Sequence, residues 1–199
     1  MLLYVLYGST HPKMEIFLSL CLGVGLAACS GFRVFVPLLI SSLGIHFGLV
    51  NVDTGFEWMG TWAAIAVLAS ATVLEIGGYY IPWVDNLLDT IATPSAVAAG
   101  TLLTTSFIEI DNPLLQWGLG IIMGGGTAGF IQAGTSLVRL ASTKFSGGLA
   151  NPVVSTVENV TAIGFSLFTF WLPVVAFVLV VLFIVWLLQK LLARKSKTT

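Results

Sequence analysis

The chain has 199 residues, of which 57% are hydrophobic and 9% are charged, with a formal net charge of −1. A soluble domain carries about 25% charged residues, so this composition excludes an ordinary water-soluble protein and predicts an integral membrane protein. Eight basic residues against nine acidic ones give no indication of nucleic-acid binding.

The apolar segments predict an all-α bundle of about six transmembrane helices, because a span needs about 20 apolar residues. Unbroken apolar runs such as residues 174–188 favour helices over the short alternating strands of a β-barrel. The predicted spans are Glu15–Leu43, Phe56–Ile81, Pro94–Ile110, Pro113–Ala141, Pro152–Trp171 and Pro173–Leu192. Spans five and six are also compatible with one kinked helix.

A single transmembrane domain is predicted over residues 14–193. Residues 1–13 are interpreted as an N-terminal extension that carries no function, with Met14 as an alternative start. They have neither the basic first region nor the small-residue cleavage site of a signal peptide. Residues 194–199 are interpreted as a basic cytoplasmic tail.

Three predicted helix starts share a cap followed by proline, at Thr93-Pro94, Asn112-Pro113 and Asn151-Pro152. Thr and Asn side chains accept hydrogen bonds from the first free N–H groups of a helix, and proline suits its first position. These three starts are therefore the best-defined boundaries in the sequence.

The distribution of Lys and Arg predicts that both termini lie in the cytoplasm. The C-terminal tail, the loop between spans four and five, and the N-terminus carry the basic residues, whereas the opposite loops carry acids. Six spans place these three basic segments on one side.

The stretch Glu75–Pro94 gathers acids without any base. Trp83, Leu87 and Ile91 recur at helical spacing on one apolar face, and Asp85 and Asp89 lie four residues apart on another. This pattern predicts a short interfacial helix between spans two and three. The two aspartates either solvate that helix or line the entrance of a site.

Four charged residues fall within predicted spans, where charge is costly and usually faces a partner or a cavity. They are Arg33, Glu75, Arg139 and Glu158. The last three share one predicted depth near the cytoplasmic surface. One base facing two acids leaves an acid that is protonated, paired elsewhere or bound to a cation. The competing interpretation is an Arg–Glu pair that only holds helices together.

Arg33 is predicted at a deeper or more external level than this group. Pro37 follows it by four residues and leaves its carbonyl without the usual helical hydrogen bond, which favours a cavity for an anionic group. The alternative is an Arg33 side chain that extends to the outer headgroups.

Span four contains closely spaced glycines. Gly120 and Gly124, like Gly125 and Gly129, form small-xxx-small pairs that permit close helix crossing. A flexible helix beside a substrate path is the alternative. The same face is also compatible with a homo-oligomer.

The sequence predicts neither a metal site nor a cofactor. It has no His-Glu-x-x-His or Cys-x-x-Cys pair, and its only histidines are His11 and His46. No Ser/His/Asp set is visible, so no catalytic residue is predicted and the chain is not expected to be an enzyme.

Four segments carry a resemblance to a known family: GLAACSGFRVFVPLL, TVLEIGGYYIPWVDNLLDTIATP, GGGTAG and SGGLANP. Together, over about Met14 to Trp171, the chain resembles the DUF4126 family, whose members share a domain of unknown function. The resemblance implies a bacterial polytopic inner-membrane protein and carries over no activity or site.

Two functional hypotheses follow for a protein whose expected partners are the lipid bilayer and an unidentified small ion or solute. The first is a small transporter of an ion or solute with proton or cation coupling, in which Glu75 and Glu158 bind the coupling ion. Arg139 would balance them, Asp85 and Asp89 would line the entrance, and Arg33 would face an anionic group. The second is a non-transporting scaffold or assembly factor. An enzyme acting on lipid is the third hypothesis, although the sequence shows no nucleophile–base pair.

Overall fold

The computed structural model describes residues 12–147 and 149–195, and this part of the chain is helical without strands. The helices are α1 Pro12–Ser30, α2 Phe35–His46, α3 Trp62–Gly78, α4 Pro82–Phe107, α5 Pro113–Ser146, α6 Asn151–Trp171 and α7 Pro173–Lys195, with a 3-10 helix at Thr54–Gly60. The predicted extension over residues 1–13 and the predicted tail over residues 194–199 lie largely outside the described residues.

The prediction of an all-α fold is confirmed for the described residues, and their apolar helices are compatible with a membrane protein, but the count of six spans is not confirmed. Four helical stretches are long and apolar enough to cross a membrane: Trp83–Phe107, Pro113–Ser146, Asn151–Trp171 and Pro173–Lys190. A fifth is added if the 3-10 helix and α3, which meet at an angle of 63°, count as one span. The predicted second span is therefore bent near its start.

The predicted first span, Glu15–Leu43, is wrong as a single helix, because the chain turns back on itself at residues 31–34. A β-carbon on Gly25 of α1 would lie 2.6 Å from the Thr169 side chain of α6. A β-carbon on Gly44 of α2 would lie 2.6 Å from the neighbouring Phe170 ring. Two residues that one straight helix would separate by almost 30 Å thus contact the same level of α6.

The turn between α1 and α2 lies closer to the start of α6 than either of these contacts. Arg33 in the turn donates a hydrogen bond to the carbonyl of Ser155 at 3.2 Å. Ser155 precedes Thr169 by about 20 Å along α6 at 1.5 Å per residue. Helices α1 and α2 therefore form a hairpin whose tip, residues 31–34, is inserted among α3, α5 and α6.

The predicted interfacial helix and the predicted third span are one continuous helix, α4, so the predicted boundary at Thr93-Pro94 is wrong. Pro94 lies inside α4, which instead starts with Pro82 in its first turn. A membrane helix tolerates an internal proline when its neighbours satisfy the backbone group that proline leaves without a partner.

Of the other two predicted capped starts, the one at Asn112 is confirmed and the one at Asn151 is wrong. Asn112 caps α5 as predicted, because its side-chain oxygen accepts hydrogen bonds from the N–H groups of Leu114 and Leu115. Helix α6 begins at Asn151, one residue before the predicted start at Pro152. The Asn151 side chain donates a hydrogen bond to Asp85 instead of capping the helix. Leu172 separates α6 from α7, so these two helices are distinct.

The glycines of α5 pack against α4. A β-carbon on Gly120 would meet the Thr105 side chain, and β-carbons on Gly124, Gly125 and Gly129 would meet the α4 stretch 97–104, all at less than 3.0 Å. Helix α5 adopts a π-helical turn at Gly120–Gly125, within this contact. These glycines therefore allow the backbones of α4 and α5 to approach each other closely.

Helices α6 and α7 form an antiparallel pair, so α1 begins and α7 ends at opposite ends of the bundle. Ala176 of α7 lies near Gly25, and Leu187 shares a cavity wall with Val157 of α6. This arrangement differs from the predicted one, in which six spans place both termini on one side. Exposed tryptophans lie near both ends, as expected of a membrane protein: Trp58, Trp62, Trp117 and Trp171 at one, Trp83 and Trp186 at the other.

We expect Gly124→Ala to destabilise the protein by about 1–3 kcal/mol, the usual cost of overpacking. Its new β-carbon would lie 2.2 Å from the carbonyl oxygen of Gly100, which is backbone and cannot rotate away. Gly126→Ala, two residues along, would meet nothing within 4 Å and is the matched control. Thermal unfolding of the detergent-purified variants measures both, and equal melting temperatures would contradict the close contact of α4 and α5.

Candidate functional site

A buried ion-pair cluster lies at the tip of the α1–α2 hairpin, with Glu158 of α6 at its centre. The Glu158 side chain binds two guanidinium groups. Arg33 Nη1 lies 2.9 Å from Glu158 Oε2, and Arg139 of α5 pairs with both carboxylate oxygens. Arg33 is 1% exposed and Arg139 is 3% exposed, so neither arginine is available to bulk solvent.

The remaining donors of the two arginines are also bound. Arg33 donates to the Asn159 side chain and to the carbonyls of Phe32 and Ser155. Arg139 donates to the Ser155 hydroxyl at 3.1 Å. Buried charges are retained in proteins when such hydrogen bonds replace those to water.

Two aspartates of α4 approach Arg139 from the other side. Asp85 is buried and pairs directly with Arg139 Nη1, and its second oxygen accepts a hydrogen bond from Asn151 at 3.2 Å. Asp89 Oδ1 lies 3.8 Å from Arg139 Nε, and the Asp89 side chain is 28% exposed. Asp89 is therefore the acid of this cluster that lies closest to solvent.

The Tyr79 ring, just after α3, packs against both arginines. The guanidinium carbon of Arg33 lies 3.9 Å from the ring centre and that of Arg139 lies 4.2 Å from it. Burial raises the pKa of the Tyr79 phenol above its ordinary value although both arginines favour ionisation, so the ring stays neutral. A neutral ring attracts both cations through its π face.

Glu75 of α3 binds the backbone of the hairpin tip and not an arginine. Its two oxygens accept hydrogen bonds from the N–H groups of Val34 at 2.7 Å and Phe35 at 3.0 Å, at the start of α2. A carboxylate is favourable there because the first N–H groups of a helix are unpaired and its N-terminal dipole end is positive. Among the described residues, no cationic group lies within salt-bridge distance of Glu75.

Acids outnumber bases at this site. Two arginines face four acids: Glu75, Asp85, Asp89 and Glu158. The direct ion pairs engage Asp85 and Glu158, which leaves Glu75 as the buried acid without a cationic partner. Isolated buried charge is costly, and the N–H groups of Val34 and Phe35 are the donors that compensate Glu75 in place of an arginine.

The structure brings all six predicted site residues to one end of the bundle, but not in the predicted arrangement. Arg33 is neither deeper than the others nor directed at the outer headgroups, because the hairpin returns it to Glu158. Asp85 is inside the cluster and not at its entrance. Glu75 does not pair with Arg139.

Sequence reasoning missed Tyr79, Ser155 and Asn159. Tyr79 follows Glu75 by four residues and Ser155 precedes Asn159 by four, so each pair lies on one helical face of the site. Asn151 was interpreted as a helix cap, whereas its side chain links Asp85 to Thr143. Polar residues at helical spacing from an intramembrane charge were the available signal.

Two largely apolar cavities flank the cluster. One, of about 710 Å³, lies among α2, α3 and α4 and has Glu75 on its wall. The other, of about 640 Å³, lies among α5, α6 and α7 and has Glu158 on its wall. No group of three or more metal-ligating side chains occurs within the described part of the chain.

The comparisons with known proteins give a family but no activity. The family model described as "Domain of unknown function (DUF4126)" matches residues 20–192. The chain therefore belongs to this family, and the match extends beyond the predicted resemblance to include most of α7. No significant match is found among curated proteins or among solved structures.

We expect Arg139→Gln to destabilise the protein by about 3–5 kcal/mol, the usual cost of removing one partner from a buried ion pair. The substitution leaves Asp85 without its pairing arginine and Glu158 with Arg33 alone. Lys144→Gln, on the exposed surface of the same helix, is the control and should change stability by less than about 0.5 kcal/mol. Chemical unfolding in detergent measures both. An Arg139→Gln variant as stable as the control would show that the cluster does not hold the helices together.

Proposed function

We propose that the protein transports a small ion or solute across the membrane, with coupling to protons or another cation. The observation that carries this proposal is that Glu75 of α3, a buried carboxyl group without a salt-bridge partner among the described residues, binds the tip of an inserted helical hairpin. Discontinuous helices whose ends lie inside the membrane domain are typical of secondary transporters.

Glu75 is the coupling residue in this proposal. As a carboxylate it holds the tip through the N–H groups of Val34 and Phe35. On protonation it loses its charge and with it the favourable interaction with the helix dipole of α2. The protonation state of Glu75 thereby sets how firmly the hairpin is held between α3 and α6.

The other acids have supporting roles. Asp89, the most exposed acid of the cluster, is the route by which protons exchange with solvent. Glu158 and Asp85 hold the two arginines in place through direct ion pairs. The proposal assigns no enzymatic activity.

We place the protein in the cytoplasmic membrane with the charged cluster toward the cytoplasm. Arg139, Lys144 and Lys190 lie at the cluster end of the bundle, whereas the opposite loops carry Asp53 and Glu109 together with further acids. An excess of Lys and Arg marks the cytoplasmic side. In this orientation α7 ends in the cytoplasm and α1 begins on the opposite side.

A scaffold or assembly factor is the second candidate, because the arginines are completely engaged. Arg33 and Arg139 bind acids, hydroxyl and carbonyl groups of α6 and the tip, as in a purely structural ion-pair network. In that case the cluster fixes a surface for a partner and nothing crosses the protein.

Purified protein in liposomes with an internal pH-sensitive dye tests the two candidates. We expect an imposed pH gradient, or the addition of a transported ion from a panel of inorganic cations and anions, to produce proton flux above that of empty liposomes. Glu75→Gln should reduce this flux at least tenfold while the protein remains folded, because Gln keeps an acceptor for the tip but cannot exchange a proton. Glu57→Gln, on the exposed 3-10 helix, is the matched control.

Flux that is unchanged in Glu75→Gln would overturn the role of Glu75. Absence of flux for every ion tested, together with lower stability of Glu75→Gln, would favour the scaffold.

A further inference from the structure

The cavity beside Glu75 combines apolar walls with one acid. Val34 and Phe35 of the tip, Leu74 of α3, and Leu88 and Ile91 of α4 form its walls. Glu75 is the single charged residue among those that line it. An apolar site of about 710 Å³ is large enough for a small organic molecule.

The cavity opens toward the membrane-facing side of α3. Val73 and Leu74, which line it, are 70% and 75% exposed. A ligand that partitions into the bilayer therefore reaches the cavity sideways from the lipid. The membrane concentrates amphiphilic molecules, which favours such a ligand over a hydrophilic one.

The second cavity shows why the charge of Glu75 matters. That cavity is also apolar and also has one acid, Glu158, on its wall. Glu158 is already bound by Arg33 and Arg139, so a cationic ligand there would compete with two resident cations. Glu75 has no such partner within salt-bridge distance among the described residues.

We propose that the cavity among α2, α3 and α4 binds a hydrophobic organic cation, with Glu75 as its counter-charge. Charge complementarity selects a cation, and the apolar walls select aryl or alkyl substituents. The inference rests on the proposed function in one respect, namely that the same Glu75 then exchanges the organic cation for a proton.

Other charged and titratable groups surround Glu75 but are engaged. Arg33 on the tip is bound to Glu158 and Asn159, and Tyr79 packs on the arginines. A cation and a proton therefore compete for Glu75 itself. Binding should weaken as the pH falls and Glu75 becomes protonated.

Equilibrium binding of radiolabelled tetraphenylphosphonium to the full chain in detergent tests the proposal. We expect saturable binding with one site per chain, and at least a tenfold weaker affinity at a pH where Glu75 is protonated. Triphenylphosphine oxide, an uncharged analogue with similar aryl groups, should not displace the probe. Displacement by the uncharged analogue, or by added lipid alone, would identify an ordinary lipid-facing groove and overturn the proposal.

Two substitutions and a control locate the site. Glu75→Gln should lower the affinity at least tenfold and abolish its pH dependence. Gly77→Phe should block binding, since Gly77 lines the cavity and a β-carbon there would meet nothing within 4 Å. Glu57→Gln should bind like the wild type. Wild-type affinity in both Glu75→Gln and Gly77→Phe would overturn the assignment.

The two assays distinguish a failure of the proposed binding site from a failure of the proposed transport. Probe binding without flux in liposomes would support the site and contradict the proposed transport. Flux of inorganic ions without probe binding would support transport and contradict the organic-cation site.

Discussion

The contact of one carboxylate with two arginines organises this protein. Glu158 of α6 binds Arg33 from the hairpin tip and Arg139 from α5, so it joins elements far apart in sequence at one buried point. A buried arginine is costly without partners, and Arg33 reaches its partners on α6 only if the hairpin is inserted. The turn between α1 and α2 is thereby held inside the bundle and not at its surface.

The inserted tip explains why Glu75 differs from the other buried acids. The arginines are used by Glu158 and Asp85, and the unpaired N–H groups of α2 are the partners that remain for Glu75. Those groups are dipoles and not full charges, so Glu75 is the buried acid of the cluster without an ion-pair partner among the described residues. The proposed coupling and the proposed cation site both depend on this difference.

Sequence reasoning predicted the membrane class, the helical fold and the capped start at Asn112, because composition and local capping determine them. It predicted intramembrane charges that would gather at one depth, and the structure does place Arg139 and Glu158 together. It did not predict the α1–α2 hairpin. Residues 15–43 are mostly apolar, and hydropathy does not distinguish one long helix from two short ones that fold back.

The other errors also arise where long-range contacts decide. Pro94 was expected to start a helix, yet the packing of α4 against its neighbours carries the helix through it. Arg33 was assigned a different depth because a straight helix would place it there. Tyr79 has no local signal beyond its spacing from Glu75, and its role depends on two arginines that only the fold brings to it.

Infrared difference spectroscopy of the purified protein across pH tests most directly whether Glu75 is the exchangeable acid. We predict a protonated-carboxyl band that appears as the pH falls, is absent in Glu75→Gln, and diminishes when a bound cation replaces the proton. A spectrum without any titrating carboxyl band, or with one that persists unchanged in Glu75→Gln, would contradict the account and leave the cluster as a static link between helices.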